Sequence, residues 1–148
     1  MFVLIHTISS IFALLIGTWS IFQTKGTKLH KLLGWIFVSS MLLSACSSFL
    51  IYNKRLSIIH ILSFCVLFWL FKAVHAVRLK PKNWVYIHAS SIGAAYIATI
   101  IAGSGVLVRK ILLPGNNNAG YLASIFTAVL SVYILDKLTK KLSYKTHE

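Results

Sequence analysis

Five long apolar runs, separated by short polar stretches, constrain this chain more than any other feature of its sequence. They cover about residues 2–22, 29–52, 57–78, 84–108 and 119–137. An α-helix of about 20 mostly apolar residues is long enough to cross a bilayer. The sequence therefore predicts an all-α polytopic membrane protein: a four-helix transmembrane bundle plus a fifth, peripheral transmembrane helix, in a single integral membrane domain that covers residues 1–148.

The composition agrees with this class and excludes several functions. Charged residues make up 11% of the chain, against about 25% in soluble domains. Only Asp136 and Glu148 are acidic, which nearly excludes carboxylate-based hydrolysis and metal–carboxylate sites. The sequence contains no Ser-His-Asp set, HExxH motif or phosphate-binding loop. Cys46 and Cys65 fall inside apolar runs, where we expect small packing residues rather than a disulfide or a metal pair.

The net charge of +13 predicts a membrane orientation rather than a nucleic-acid partner, because the basic residues lie in short linkers between the apolar runs. Eleven of them fall on one predicted side: Lys25, Lys28, Lys31, Lys72, Arg78, Lys80, Lys82, Lys137, Lys140, Lys141 and Lys145. The other side has four, namely Lys54, Arg55, Arg109 and Lys110. We therefore expect contact with the lipid bilayer, an N-terminus outside and a cytoplasmic C-terminus.

Small residues recur at every fourth position in several spans. The fourth span has two such ridges, one of Ser90, Ala94, Ala98 and Ala102, the other of Ser91, Ala95, Thr99 and Gly103. The second span repeats Ser40, Ser44 and Ser48, and the first has Ala13 and Gly17. Such spacing lets transmembrane helices approach closely. Because one ridge can serve the bundle and another a second surface, we expect a homodimer or a subunit of a larger membrane complex.

Histidines are the chemically informative residues of the spans. Five of the six lie in or at the edge of a predicted span: His6, His30, His60, His75 and His88. Ionisable residues within membrane segments are rare enough to be functional hypotheses. The alternative, for any one of them alone, is an interfacial aromatic ring that reaches the headgroups.

The depths of four histidines match in pairs. In an up-and-down bundle the first helix lies diagonal to the third, and the second to the fourth. His6 and His60 then share the outer level, and His30 and His88 the inner level. Imidazoles that face each other at one depth are the axial ligands that a flat macrocycle needs. The pattern therefore predicts two b-type haems, with each pair of histidines as ligands of one iron.

His75 does not fit this scheme. It lies on a helix next to that of His88 and is joined to it by a short turn, so the two rings are poorly placed to bind one macrocycle from opposite faces. We expect His75 to line the cofactor site or a substrate or quinone pocket.

The order of motifs resembles a known family. His6 followed by "ALLIG", then "KGTKLHKLLGWIFV", "WVYIHASSIGAAY" and Arg109 is similar to the bacterial membrane proteins of domain of unknown function 2306, over about residues 3–112. The resemblance implies a membrane fold, here in the bacterial inner membrane, but no activity. More loosely, the layout is similar to cytochrome b561-like four-helix cores, in which diagonal histidine pairs hold haem.

Three functional hypotheses follow. The first is a b-type cytochrome-like electron carrier, alone or as a subunit of a larger oxidoreductase with a quinone or a protein as redox partner; the sequence leaves enzymatic activity open. The second is a non-enzymatic accessory or assembly subunit whose small-residue faces bind other helices. The third is a small transporter that uses the histidines as metal or proton sites.

Thiol labelling of the basic tail tests the orientation. We expect Thr146→Cys to resist a membrane-impermeant reagent in intact cells and to react after permeabilisation, because basic residues stay on the cytoplasmic side. Labelling of this position from outside would contradict the predicted orientation.

Overall fold

A computed structural model describes the backbone of residues 1–51 and 58–144, and the side chains of residues 1–51 and 60–137. The helices are α1 (Phe2–Phe22), α2 (Lys28–Ile51), α3 (Ile58–Leu79), α4 (Trp84–Leu107) and α5 (Asn117–Tyr144), with a π-helix at Val108–Leu112. All five α-helices contain a segment long and apolar enough to cross a membrane, and the described part of the chain has no strand. The predicted all-α polytopic membrane fold is confirmed.

The helix limits agree closely with the predicted spans except near the C-terminus. The fourth span continues past Leu107 into the π-helix, and α5 runs on to Tyr144. Lysine and leucine are good helix formers, so the helix outlasts the apolar run that predicted it. Residues 54, 55 and 145–148, which carry part of the basic-residue argument and the labelling position 146, lie outside the described residues. The orientation and the four-helix arrangement therefore stay predictions.

A tight turn joins α3 to α4 and fixes which of their residues are neighbours. Pro81 lacks a backbone N–H and disfavours a helical conformation in the residue before it. Lys80 and Asn83 adopt positive φ angles of 47° and 66°, and the Trp84 N–H donates to the Pro81 carbonyl at 2.9 Å. The chain reverses within these residues, so the last turns of α3 lie beside the first turns of α4.

The chain divides into two compact units, Met1–Phe68 and Trp69–Glu148, and α3 contributes to both. In the first unit α1 packs against α2. The buried face of α1 consists of small residues four apart, namely Ser9, Ala13 and Gly17. The buried residues of α2 include a matching series of larger side chains, Leu33, Phe37 and Met41. The expected small-residue face of α1 is thus present and buried.

In the second unit α4 and α5 form an antiparallel pair whose backbones approach at two glycines. A Cβ placed on Gly120 would lie 3.0 Å from the carbonyl oxygen of Gly105. Beside this contact, Ser104 Oγ lies 2.7 Å from Thr127 Oγ1, and Ser124 donates to a backbone carbonyl of α4 at 3.2 Å. Hydroxyls next to a close glycine contact are typical of membrane helix pairs.

The sequence predicted small faces on α4 but not the one that meets α5. Three residues of the predicted ridges are buried: Ser91, Ala95 and Ala98. The contact with α5 involves Gly93 and Gly105, which belong to neither predicted ridge. The bulky residues of α5 are exposed, as expected for a peripheral helix: Tyr121, Phe126, Val129 and Val132.

Replacing Gly105 with alanine tests the α4–α5 contact. The new Cβ would meet the Ser124 hydroxyl and lie 3.1 Å from the Gly120 carbonyl oxygen. Overpacking of this kind costs about 1–3 kcal/mol, so we expect a lower midpoint of thermal unfolding in detergent. Gly103→Ala is the matched control, since nothing lies within 4 Å of its Cβ position and alanine favours a helix. Equal stability of the two variants would contradict the contact.

Candidate functional site

His6 lies in the second turn of α1, and its ring is hydrogen-bonded to the backbone of α2. Its Nδ1 lies 2.9 Å from the carbonyl oxygen of Ser44. A carbonyl oxygen can only accept, so Nδ1 carries a proton, and in the neutral ring Nε2 then keeps its lone pair. This is the tautomer in which an imidazole ligates a metal through Nε2.

Two serine hydroxyls extend the contact between α1 and α2. Ser10 donates to the carbonyl oxygen of His6 at 2.7 Å, and its Oγ lies 2.6 Å from Ser44 Oγ. A hydroxyl has one proton to donate, so Ser44 supplies the proton between the two hydroxyls. The three side chains thus form one hydrogen-bonded group.

A second hydroxyl pair joins α2 to α3. Ser48 Oγ lies 2.6 Å from Ser63 Oγ, and both serines are buried. Ser48 donates to the carbonyl oxygen of Ala45 at 2.7 Å, so Ser63 supplies the proton of the bond between the hydroxyls. Each of these two side chains is therefore satisfied inside the first unit.

His60 lies one turn before Ser63 on α3 and is 6% exposed. Its ring centroid is 5.5 Å from that of Phe49, with the planes tilted by 34°. Both predicted outer histidines therefore contact the same part of α2, between Ser44 and Phe49. We call the combined set the polar seam: His6, Ser10, Ser44, Ser48, Ser63 and His60.

Apolar side chains flank the polar seam. A groove between α1 and α2 is lined by Leu4, Ile5, Ile8, Ser9, Phe12, Ser40 and Leu43. A polar group in hydrocarbon costs free energy unless it is hydrogen-bonded, and a chain that needed only packing has little reason to place two imidazoles there. The polar seam is therefore the strongest candidate site in the first unit.

His30 lies at the other end of the first unit. Its Nδ1 is 3.3 Å from Ser20 Oγ, in the last turn of α1. Fourteen residues separate His30 from Ser44 along α2, or about 21 Å at the helical rise of about 1.5 Å per residue. Within this unit, histidines occur at two levels, as the sequence predicted.

In the second unit His88 repeats the arrangement of His6. Its Nδ1 lies 3.2 Å from the carbonyl oxygen of Ala73, on α3, so by the same reasoning Nε2 of the neutral ring is unprotonated. His75, two residues after Ala73, is exposed, and its ring stacks on Phe71 at 5.6 Å between centroids. The two histidines lie on adjacent helices, as expected. The pairing of His30 with His88 stays a prediction.

The described residues do not group their His, Cys, Asp and Glu side chains as the ligands of a bare metal ion would be grouped. Within residues 1–51 and 58–144, no three His, Cys, Asp or Glu side chains lie together as a metal site would require. Cys46 is exposed and Cys65 half-buried, and both are free thiols.

Sequence reasoning found the histidines but missed most of their hydroxyl partners. Ser10 follows His6 by four residues and Ser63 follows His60 by three, so each serine lies one helical turn after a histidine. This shared spacing was the available signal. The partners Ser44 and Ser48 on α2 follow only from the register in which the helices pack.

The family comparison agrees with the sequence resemblance and extends it. A family described as "Predicted membrane protein (DUF2306)" matches residues 3–139, which adds α5 to the region of similarity. No curated protein matches the chain. No solved structure matches it either.

A double-mutant cycle tests the Ser48–Ser63 bond. Interhelical hydrogen bonds in membranes contribute about 0.6 kcal/mol on average, so we expect Ser48→Ala and Ser63→Ala to couple by about that amount in unfolding titrations from mixed micelles. Ser39→Ala, at an exposed position on the same helix, is the control and should be additive with Ser63→Ala. Full additivity of the Ser48 and Ser63 variants would contradict the contact.

Proposed function

The chain belongs to the DUF2306 family of predicted membrane proteins, and from that premise we propose that it is a haem-binding electron carrier of the membrane. His6 and His60 hold one b-type haem, and His30 and His88 hold a second. Haem iron supplies one-electron redox chemistry, and its axial imidazoles and its surroundings set the potential.

The observation that supports the proposal best is the hydrogen bond that each of two imidazoles makes through Nδ1. His6 and His88 each present Nδ1 to a helix carbonyl oxygen, at 2.9 Å and 3.2 Å. Metal-ligating histidines characteristically donate their other ring N–H to such an acceptor, which fixes the tautomer and makes the ligating nitrogen more basic. An interfacial ring that only reaches the headgroups needs no such bond.

The count of nearby donors also suits haem. A bare transition-metal ion in a protein takes three or four side-chain ligands, and the described residues hold no such cluster. A porphyrin supplies most of the iron ligands itself and leaves only the axial positions to the protein. The apolar side chains that line the groove between α1 and α2 suit a macrocycle, whose ring favours apolar surroundings.

The other residues of the polar seam have a supporting role. The Ser44 carbonyl oxygen accepts a hydrogen bond from His6 Nδ1, and Ser63 lies one turn from His60. The Ser44 contact orients the His6 ring and fixes which of its nitrogens carries the proton before any cofactor binds. Phe49, tilted against His60, excludes water from that ring.

The remaining parts of the proposal concern location and partners. The protein lies in the bacterial inner membrane with its N-terminus outside, and exchanges electrons with a quinone or a protein partner near His75, which is exposed. It acts as a homodimer or as a subunit of a larger oxidoreductase. The exposed apolar face of α5 supports contact with lipid or with a further helix.

Absorption spectra of histidine variants test the proposal. Purified wild-type protein from haem-replete cells should show b-type bands in a reduced-minus-oxidised spectrum. His6→Ala and His60→Ala should each lose the same haem and about half of the haem per protein, because one axial imidazole no longer holds its iron. His75→Ala is the matched control and should keep both haems.

Two results would overturn the proposal or part of it. Wild-type protein without haem under these conditions would end the haem assignment. Loss of the same haem in His75→Ala and His88→Ala would keep haem binding but replace the diagonal pairing by an adjacent one.

A further inference from the structure

Arg109 is a half-buried cation whose Nε atom has no hydrogen-bond partner in the described part of the chain. It lies in the π-helix at Val108–Leu112, at the end of the fourth apolar span. Its Nε is buried and has no hydrogen-bond partner among the described residues. A buried donor without a partner is unfavourable, and more so when the group is charged.

Lys25 is a cation whose hydrogen bonds are made within the chain. Its Nζ donates to the carbonyl oxygens of Ser20 and Ile21, at 3.1 Å and 2.6 Å, at the end of α1. The C-terminal end of a helix carries partial negative charge and attracts cations. Partial burial lowers the pKa of Lys25 from its ordinary value, yet these two carbonyls favour the charged form. Arg109 Nε has no equivalent contact.

No acidic side chain of the described residues is within reach of Arg109. The chain has two acids; Glu148 lies outside the described residues, and Asp136 lies far along α5. The stem of Arg109 packs at Gly120, whose Cβ position is 3.1 Å from Arg109 Cβ. Asp136 is sixteen residues further on, or about 24 Å along the helix. A guanidinium cannot bridge that distance.

The surroundings of Arg109 favour an anion. Lys110 follows it and is exposed, and the N-terminus of α5, which carries partial positive charge, begins at Asn117. Two cations and a helix N-terminus disfavour a zwitterionic headgroup, whose ammonium they would repel. They suit a group with net negative charge.

We propose that Arg109 binds a phosphate oxyanion at the α4–α5 end of the second unit, supplied by the headgroup of an anionic phospholipid. The forked guanidinium matches phosphate oxygens in a bidentate way that an ammonium cannot. The end of a transmembrane span is also the depth at which lipid phosphates lie. The close contact of Gly105 with Gly120 holds the Arg109 stem against α5, so the site is built into the helix pair.

Native mass spectrometry of the full chain in mild detergent, titrated with phosphatidylglycerol or with phosphatidylcholine, tests the proposal. We expect Arg109→Gln to bind phosphatidylglycerol roughly tenfold more weakly than the wild type, because charge-assisted hydrogen bonds are lost. Arg109→Lys should be intermediate, since it keeps the charge but not the fork. Lys110→Gln is the comparison for charge alone and should lose less affinity than Arg109→Gln, since Lys110 is exposed and adds only to the surrounding positive charge. Phosphatidylcholine should bind all four proteins alike.

The outcomes separate the possible sources of the anion. Undiminished phosphatidylglycerol binding by Arg109→Gln would overturn the proposal, and so would an equal loss in Lys110→Gln. Inorganic phosphate that displaces the lipid from the wild type and raises its unfolding midpoint in phosphatidylcholine nanodiscs would assign the site to a soluble anion instead. If Arg109→Gln elutes as aggregate, the comparison of Arg109→Lys with the wild type decides, and equal affinities would then overturn the proposal.

Discussion

A helix carbonyl oxygen has two lone pairs and uses one of them in its own helix. His6 and His88 each donate a ring proton to such an oxygen on a neighbouring helix. In many metal sites a carboxylate takes this role, but this chain has only two acids. In this chain the acceptors are backbone carbonyl oxygens, which define the orientation and the tautomer of each ring without bringing a charged side chain into the apolar spans.

The scarcity of acids also determines which partners the basic side chains can have. The chain has 15 Lys and Arg residues against two acids, so most positive charges have no partner of opposite sign within the protein. Lys25 donates hydrogen bonds to two carbonyl oxygens at the end of α1. The other exposed lysines are available to water or to lipid headgroups. Anionic lipid headgroups can therefore supply the negative charge that this protein lacks, in addition to the hydrocarbon that surrounds its apolar surface.

Much of the fold was predictable because the thickness of the bilayer sets the number of apolar residues that a transmembrane helix needs. The helices near residues 2–22 and 84–107 could be located from hydropathy alone. The extension of α5 to Tyr144 could not, since its last turns are helical without being apolar. The serine partners of the polar seam, and the Gly105–Gly120 approach, depend on helix register. Register is set by packing between distant segments and leaves no local pattern in the sequence.

The candidate site shows the same division. Histidines in apolar runs are visible in the sequence because ionisable residues there are rare. Which nitrogen carries the proton is not visible, because it depends on an acceptor 38 positions away in the case of His6 and Ser44. Arg109 was counted as a topology signal, and only the buried, unpartnered Nε atom seen in the structure separates it from the exposed Lys110 beside it.

The π-helix at Val108–Leu112 also bears on how such a chain can change during evolution. A π-turn closes its hydrogen bond over one residue more than an α-turn does, and each residue of an α-helix advances the face by about 100°. A single inserted codon is enough to create such a turn. It would rotate the residues after it, Arg109 among them, relative to the face of α4 that precedes it. A helix without this residue would present a different side chain at the position of Arg109, so the length of this one turn decides which residue lies at the end of the fourth apolar span.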